Sequence, residues 1–206
     1  MPSYKLHYFD ARGAGEMIRQ TFAYAGADFE DVRYTKEQFP AAKPKMPFGQ
    51  VPVLEVDGKM IPQSGAIARY VAKQFGLAGK TDFEAAWVDA ILDQYKDYYV
   101  QVRDWYYVAL GFKEGDKDAT LRDHGEPARD KFFSLLVTQL KKAGSGFLVG
   151  DSPTYVDFLI SDHVDVLNSL KPGFLDAYPE IIEHSKKITT LRQIKAWIEK
   201  RPKTPF

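Results

Sequence analysis

The stretch from Phe48 to Phe75 changes its apolar period twice, and each change predicts an element. Val51, Val53, Leu54 and Val56 are β-formers interrupted only by Pro52. Asp57-Gly58 is a hairpin dipeptide in which both residues favour positive φ, and Lys59 to Ile61 is the return strand. Beyond Gln63-Ser64-Gly65 the spacing becomes helical, with Ile67, Tyr70, Val71 and Phe75 repeating and Ser64 as the expected N-cap. Pro52 cannot donate to a ladder, which places it at an edge, a first position or a bend. With a cis Val51-Pro52 bond, the adjoining backbone polar groups turn outward toward a ligand's own peptide group. The helix N-terminus at Ser64 adds an anion site. An edge strand followed by an ordinary capped helix is the alternative reading of the same residues.

Upstream, Tyr4 to Phe9 alternates as a first strand, Asp10 to Gly13 is a turn, and Glu16 to Tyr24 is helical. Met17, Ile18, Phe22 and Ala25 form the apolar stripe of that helix and Gly26 stops it. Phe29 to Tyr34 is a second strand, and Lys36 to Lys45, broken by Pro40 and Pro44, is a short helix or irregular connection. The resulting β-α-β-α-β-β-α order predicts a mixed sheet with helices packed on it. Composition changes at Gly76 to Asp82, dividing the chain into an α/β part, 1–76, and an all-α part, 83–206. Phe83 to Leu110 is a long helix with Val88, Ile91, Leu92, Tyr95, Tyr98, Tyr99 and Val102 on its repeating face. Gly111 to Asp118 is a polar turn, and Arg122 to Lys142 is a helix with Pro127 placed to bend it. A glycine-rich connector follows Gly144, then Thr154 and Asp157 form a capping box for a helix burying Tyr155, Val156, Leu159, Ile160, Val164 and Leu167. Shorter helices over Tyr178 to Ile188 and Leu191 to Lys200 precede a loose tail marked by Pro202 and Pro205.

The composition narrows the function by exclusion. Lys+Arg and Asp+Glu are both 28, so nothing points to nucleic acid or an anionic membrane surface. The absence of cysteine removes disulfides, thiolate metal sites and a thiol nucleophile. No apolar run reaches the roughly 20 residues of a membrane span, and the first residues lack a signal-peptide core, which makes a cytoplasmic protein the expectation.

Common catalytic patterns are missing too. His7, His124, His163 and His184 have no metal spacing, no phosphate-binding glycine loop occurs, and Ser64 has no nucleophile-elbow context. Asp93 and Asp97 share one helix face, which reads first as a solvated stripe. Tyr8, at a strand end just before a turn, can present its hydroxyl to a cleft, although most tyrosines only pack.

Taken together, Tyr8-Phe-Asp-Ala-Arg-Gly, Phe48-Gly-Gln-Val-Pro-Val-Leu, Asp57-Gly58, Gln63-Ser64-Gly-Ala-Ile-Ala-Arg-Tyr and Phe147-Leu-Val-Gly-Asp-Ser-Pro-Thr-Tyr-Val-Asp resemble the cytosolic glutathione transferases. The resemblance is greatest to the sigma-type branch and its nematode members, and it spans the chain. It implies a thioredoxin-like N-terminal domain, a C-terminal helical bundle, a homodimer, and glutathione as co-substrate with no tightly bound cofactor and no metal. By that resemblance Val51 and Pro52 hold the cysteinyl part of glutathione, Gln63 and Ser64 the γ-glutamyl carboxylate, and Asp97 reaches across a dimer to the ammonium. Lys43 and Gln50 hold the glycyl end, beside Phe39, and Tyr8 donates its O–H to the sulfur. A thiol near pKa 8.5 needs about 2.7 kcal/mol to drop by about two units, the scale of one hydrogen bond to a charged group. The thiolate would attack hydrophobic electrophiles in a groove lined by Phe9, Arg12, Arg103, Tyr106 and Tyr107, whose other reading is packing between domains.

Two positions depart from the family pattern. Ala14 stands where relatives often have a second arginine, and Phe39 replaces a tryptophan, removing an indole N–H donor. Peroxidase activity or prostaglandin isomerisation would be side activities. The alternative class is a carrier of haem or other large apolar ligands on the same fold.

Overall fold

The computed structural model describes residues 2–204 and 206; Pro205, expected in the tail, lies outside the described residues. Strand β1 (Tyr4–Phe9) is followed by helix α1 (Gly13–Ala25) and strand β2 (Glu30–Tyr34). Helix α2 (Phe39–Ala42) leads into a 3-10 turn, Lys43–Lys45. The hairpin of β3 (Val53–Val56) and β4 (Lys59–Pro62) precedes helix α3 (Ser64–Gln74). The sheet order is β2-β1-β3-β4, with β1 parallel to β2 and antiparallel to β3. It is therefore mixed, as the hairpin requires. Asp57 and Gly58 take φ of 48° and 80°, the geometry their turn demands.

The remainder is helical: α4 (Asp82–Ala109), α5 (Lys117–Thr120), a π-helical turn at Leu121–Gly125, α6 (Glu126–Ala143), α7 (Tyr155–Leu170), α8 (Pro179–Thr189) and α9 (Arg192–Lys200). Thr81 caps α4 by accepting from the Glu84 N–H, at 3.1 Å. The capping box at α7 is present, and its Asp157 is wholly buried. The Asp157 carboxylate accepts from the backbone N–H of Thr154 (2.7 Å) and Leu148 (2.8 Å), from Thr154 Oγ1 (2.8 Å), and meets His184 Nε2 at 2.8 Å. One apolar cluster joins the two parts, with Leu6, Phe22 and Ile67 contributing from the sheet side and Val102 and Phe158 from the helices. Helix α7 packs on α1, and this contact sets how the helical region meets the end of β1.

Several expectations change. Ser64 is not the N-cap but the first residue of α3; the flanking residue is Gln63, whose φ of 75° is uncommon outside glycine. The helix expected from Arg122 begins at Glu126, with Pro127 harmless in its first turn, and the π-helical turn ahead of it carries the irregularity. Gly125 permits that turn to lie against α4, since a Cβ there would sit 2.9 Å from Leu121 and 3.0 Å from Trp105. The tail is not loose at Phe206, whose carbonyl accepts from the Arg12 N–H at 2.7 Å. No helix among the described residues is long and apolar enough to cross a membrane.

Candidate active site

The end of β1 delivers Tyr8 to the mouth of α1. The phenolic oxygen accepts a hydrogen bond from the Ala14 N–H at 2.9 Å, one of the donors that a helix leaves unpaired at its start. Glycines on either side make this approach possible. A Cβ on Gly13 would lie 2.6 Å from the Tyr8 oxygen, and one on Gly15 would lie 2.6 Å from the ring. Beneath the ring, Arg19 is fully buried with its guanidinium carbon 5.6 Å from the Tyr8 centroid. Arg19 donates to the carbonyls of Ala11 (2.7 Å) and Phe9 (3.3 Å) and pairs with Glu16 (3.3 Å) and Asp31 (3.0 Å), which fixes the β1–α1 turn from below. Burial raises the Tyr8 pKa, opposed by the Ala14 N–H and by Arg19. The phenol consequently stays protonated at neutral pH and acts as a donor. Its oxygen already accepts one bond, which strengthens the O–H as a donor to a further partner.

Tyr8 opens into a cleft of about 840 Å³ between the sheet end and the helices, a volume suited to a small ligand. Phe9, Tyr106, Tyr107 and Ser64 line it together with Tyr8. Of the other residues read from the sequence as groove-lining, Arg12 and Arg103 are not on its wall. Arg12 is buried and paired with Asp162 (3.1 Å) and Asp165 (2.6 Å) on α7, while Arg103 is exposed. The arginine at position 12 therefore joins the two parts of the molecule, a role invisible in a sequence that places its partners some 150 residues away.

Of the remaining candidates, Ser64 lines the cleft with Tyr8, while Phe39, Lys43, Gln50, Val51, Pro52, Gln63 and Asp97 are not on its wall. The Val51-Pro52 bond is cis, with Val51 half-buried and Pro52 buried. Gln63 is exposed and Ser64 half-buried at the start of α3. Lys96 reaches the same end, since its Nζ would be 3.1 Å from a Cβ on Gly65, and it also lines the cleft. Lys43 and Gln50 are exposed. Phe39 packs edge-on against Phe9, a cleft residue, with centroids 4.9 Å apart, and does not itself line the cleft. Asp97 is exposed on the outer face of α4. Asp93 is bound to Arg69 (2.9 Å) and Lys96 (3.0 Å), so its half of the acidic pair is a structural link between α3 and α4.

The sequence reading missed the cleft floor. Tyr95 and Tyr99, assigned there to the core stripe of α4, line the cleft with Tyr106. Asp162 and His163 of α7 complete the floor. His163 hydrogen-bonds Tyr98 through Nε2 (3.0 Å) and Tyr95 through Nδ1 (3.4 Å), and burial presses its pKa to about 3, so the imidazole is neutral, with one nitrogen donating and the other accepting. Asp162 is pushed up to about 6 by burial and by the neighbouring Glu16, against the pull of Arg12 and Arg201. Burial would raise Glu16 as well, but Arg201 (2.7 Å), the Trp197 indole N–H (2.7 Å) and Arg19 hold its carboxyl below the ordinary value. The only forward signal for Asp162 was its place on a helix face otherwise made of apolar residues.

Comparison with known proteins accounts for this arrangement. Residues 4–73 match the glutathione S-transferase N-terminal domain and residues 102–201 the C-terminal domain. The chain is 50% identical to probable glutathione S-transferase 7 of Caenorhabditis elegans and 49% identical to glutathione S-transferase 1 of Ascaris suum, each over 206 residues and the full length of both chains. A monomeric glutathione S-transferase from the hookworm Necator americanus superposes with a TM-score of 0.96 at 48% identity, covering 99% of this chain and all of the other. Prostaglandin synthase D of Nilaparvata lugens superposes at 0.85 with 34% identity, covering 98% of this chain and all of the other. With both domain models matched in order and full-length relatives at half identity, the chain belongs to the glutathione S-transferase family.

Proposed function

We propose that Tyr8 donates its O–H to the sulfur of bound glutathione and that the resulting thiolate attacks apolar electrophiles held in the cleft. Family membership makes the chain a transferase and glutathione its co-substrate. The observation that carries the role of Tyr8 is the Ala14 N–H on its oxygen, which leaves the phenolic proton free to point elsewhere. The site needs no base from the protein: the thiol loses its proton to solvent, and the phenol favours the anion by donating to it. Aryl and aliphatic walls suit an apolar second substrate.

In this reading the backbone of Val51, beside Pro52, meets the cysteinyl part of glutathione. Gln63 and Ser64 take the γ-glutamyl carboxylate at the N-terminus of α3, where Lys96 adds a positive charge. Lys43 and Gln50 take the glycyl end, beside Phe39. Residues 1–76 then bind glutathione, and 83–206 supply most of the electrophile site. Asp97, exposed on α4, serves the ammonium from a second copy in a sigma-type homodimer. The likeness to a prostaglandin synthase supports isomerase activity as a side reaction. Haem is disfavoured in this cleft, because the one imidazole lining it, among the described residues, is occupied at both nitrogens.

Tyr8→Phe tests the proposal. Losing one hydrogen bond to a charged group should lower kcat/KM for conjugation of an aryl halide by about 10- to 150-fold, with glutathione affinity largely kept. Unchanged conjugation would remove Tyr8 from the mechanism.

A further inference from the structure

Among the described residues, the charged side chains lining the cleft are Asp10, Lys36, Lys96 and Asp162. Three of them are paired: Asp10 with Arg33 at 3.1 Å, Lys96 with Asp93 at 3.0 Å, and Asp162 with Arg12 and Arg201, each at 3.1 Å. Lys36 differs. Among the described residues it has no carboxylate within ion-pairing distance; the neighbouring Glu37 is hydrogen-bonded by Thr35 and feels Lys36 only at longer range. Its ammonium lies instead over the Phe112 ring, 5.2 Å from the centroid.

Lys36 also stands at the end of a continuous aromatic wall. Tyr107 neighbours Tyr8 closely enough to influence its ionisation. Phe112 meets Tyr107 edge-on at 5.9 Å, its backbone N–H bonding the Tyr107 carbonyl at 2.8 Å. Phe206 packs edge-on against Phe112 at 5.0 Å and closes the side of the wall. A ligand that starts at the Tyr8 hydroxyl and runs along Tyr107 and Phe112 therefore ends beside the unpaired ammonium.

We propose that Lys36 is a specificity-determining residue that selects elongated apolar electrophiles carrying a carboxylate at the end remote from the reacting carbon. The inference rests on the transferase reading for the position of that carbon, but not for the recognition of the charge. The aromatic wall takes the apolar body, and the ammonium takes the anion at the rim. The pair forms where solvent is near, so its contribution is modest and salt-dependent.

The test compares a benzylidene-acetone bearing a para-carboxylate with its methyl ester. In the reaction the glutathione thiolate adds to the β-carbon of the enone and the enolate takes one proton from solvent, with no leaving group. Lys36→Gln should raise KM for the acid about three- to fivefold and leave kcat and the ester's constants unchanged. The advantage of the acid over the ester in the native protein should shrink as salt is raised. Equal effects on both compounds, or none, would overturn the assignment. Fluorescence titration with the saturated, unreactive ketones of the same pair separates this inference from the one it rests on. If the native protein conjugates neither enone, the transferase reading fails. A preference for the saturated acid that Lys36→Gln abolishes still supports Lys36, and equal binding of acid and ester by both proteins refutes it.

Discussion

The Ala14 backbone N–H lies 2.9 Å from the Tyr8 phenolic oxygen and donates to it, so the first turn of α1 polarises the residue at the end of β1. Flanking glycines hold this relationship in place, and it can be disturbed at one atom. Gly15 lies within α1 and does not need positive φ, so Gly15→Ala should by propensity stabilise the helix by about 1 kcal/mol. The added Cβ would meet the Tyr8 ring at 2.6 Å, and the ring must move. The variant should fold yet lose about tenfold or more in kcat, as expected for a displaced hydrogen-bond donor. Conjugation kinetics together with thermal unfolding check this; a folded variant with native kcat would show that the seat is not tight.

Neighbouring Asp162 and His163 should give stability opposite responses to acid. The folded Asp162 has a pKa near 6 against an ordinary 3.8, so the native state holds more protons between those values, and its contribution is lost as pH rises through 6. His163, pressed from 6.5 to about 3, leaves the unfolded chain with more protons, and its contribution is lost as pH falls through that window. In urea unfolding from pH 7 to pH 4.5, Asp162→Asn should steepen the acid loss of stability and His163→Gln should make it shallower. Parallel curves for both variants and the native protein would contradict these environments.

Asp157 carries the start of α7. Replacing it with alanine removes acceptors for the Thr154 and Leu148 N–H groups and strands His184, all of them buried. The loss should be about 3–5 kcal/mol in urea unfolding, with Asp157→Asn intermediate. A loss below about 1 kcal/mol would mean that the connector before α7 reorganises to satisfy these groups.

How much could be read from the chain depended on how local each determinant is. Asp57-Gly58 and the Thr154–Asp157 capping box are complete within four residues or fewer, and both form as expected. The long period of α4 fixed its extent to within a residue at each end. The N-cap of α3 was misplaced because Gln63 adopts positive φ, which no propensity favours. The π-helical turn at Leu121–Gly125 depends on how close Gly125 comes to Trp105, a contact between separate helices. In the site, Tyr8 and Ser64 announced themselves by position. Asp162, His163 and Lys36 did not, because the cleft that joins them exists only once α7 has packed on α1. Arg12 was assigned to the groove for the same reason: its acidic partners arrive from a distant helix.

Ala14 first looked like a deficit, an arginine missing beside the reactive tyrosine. The main-chain bond to Tyr8 changes what that position means for the evolution of the protein. Every residue except proline carries the same N–H, so mutation at codon 14 can alter the side chain without switching off the phenol. The two adjacent glycine codons bear the constraint instead. Position 14 also lines the cleft, which leaves it open to drift, and to engineering, as a dial for the second substrate that is uncoupled from activation of the first.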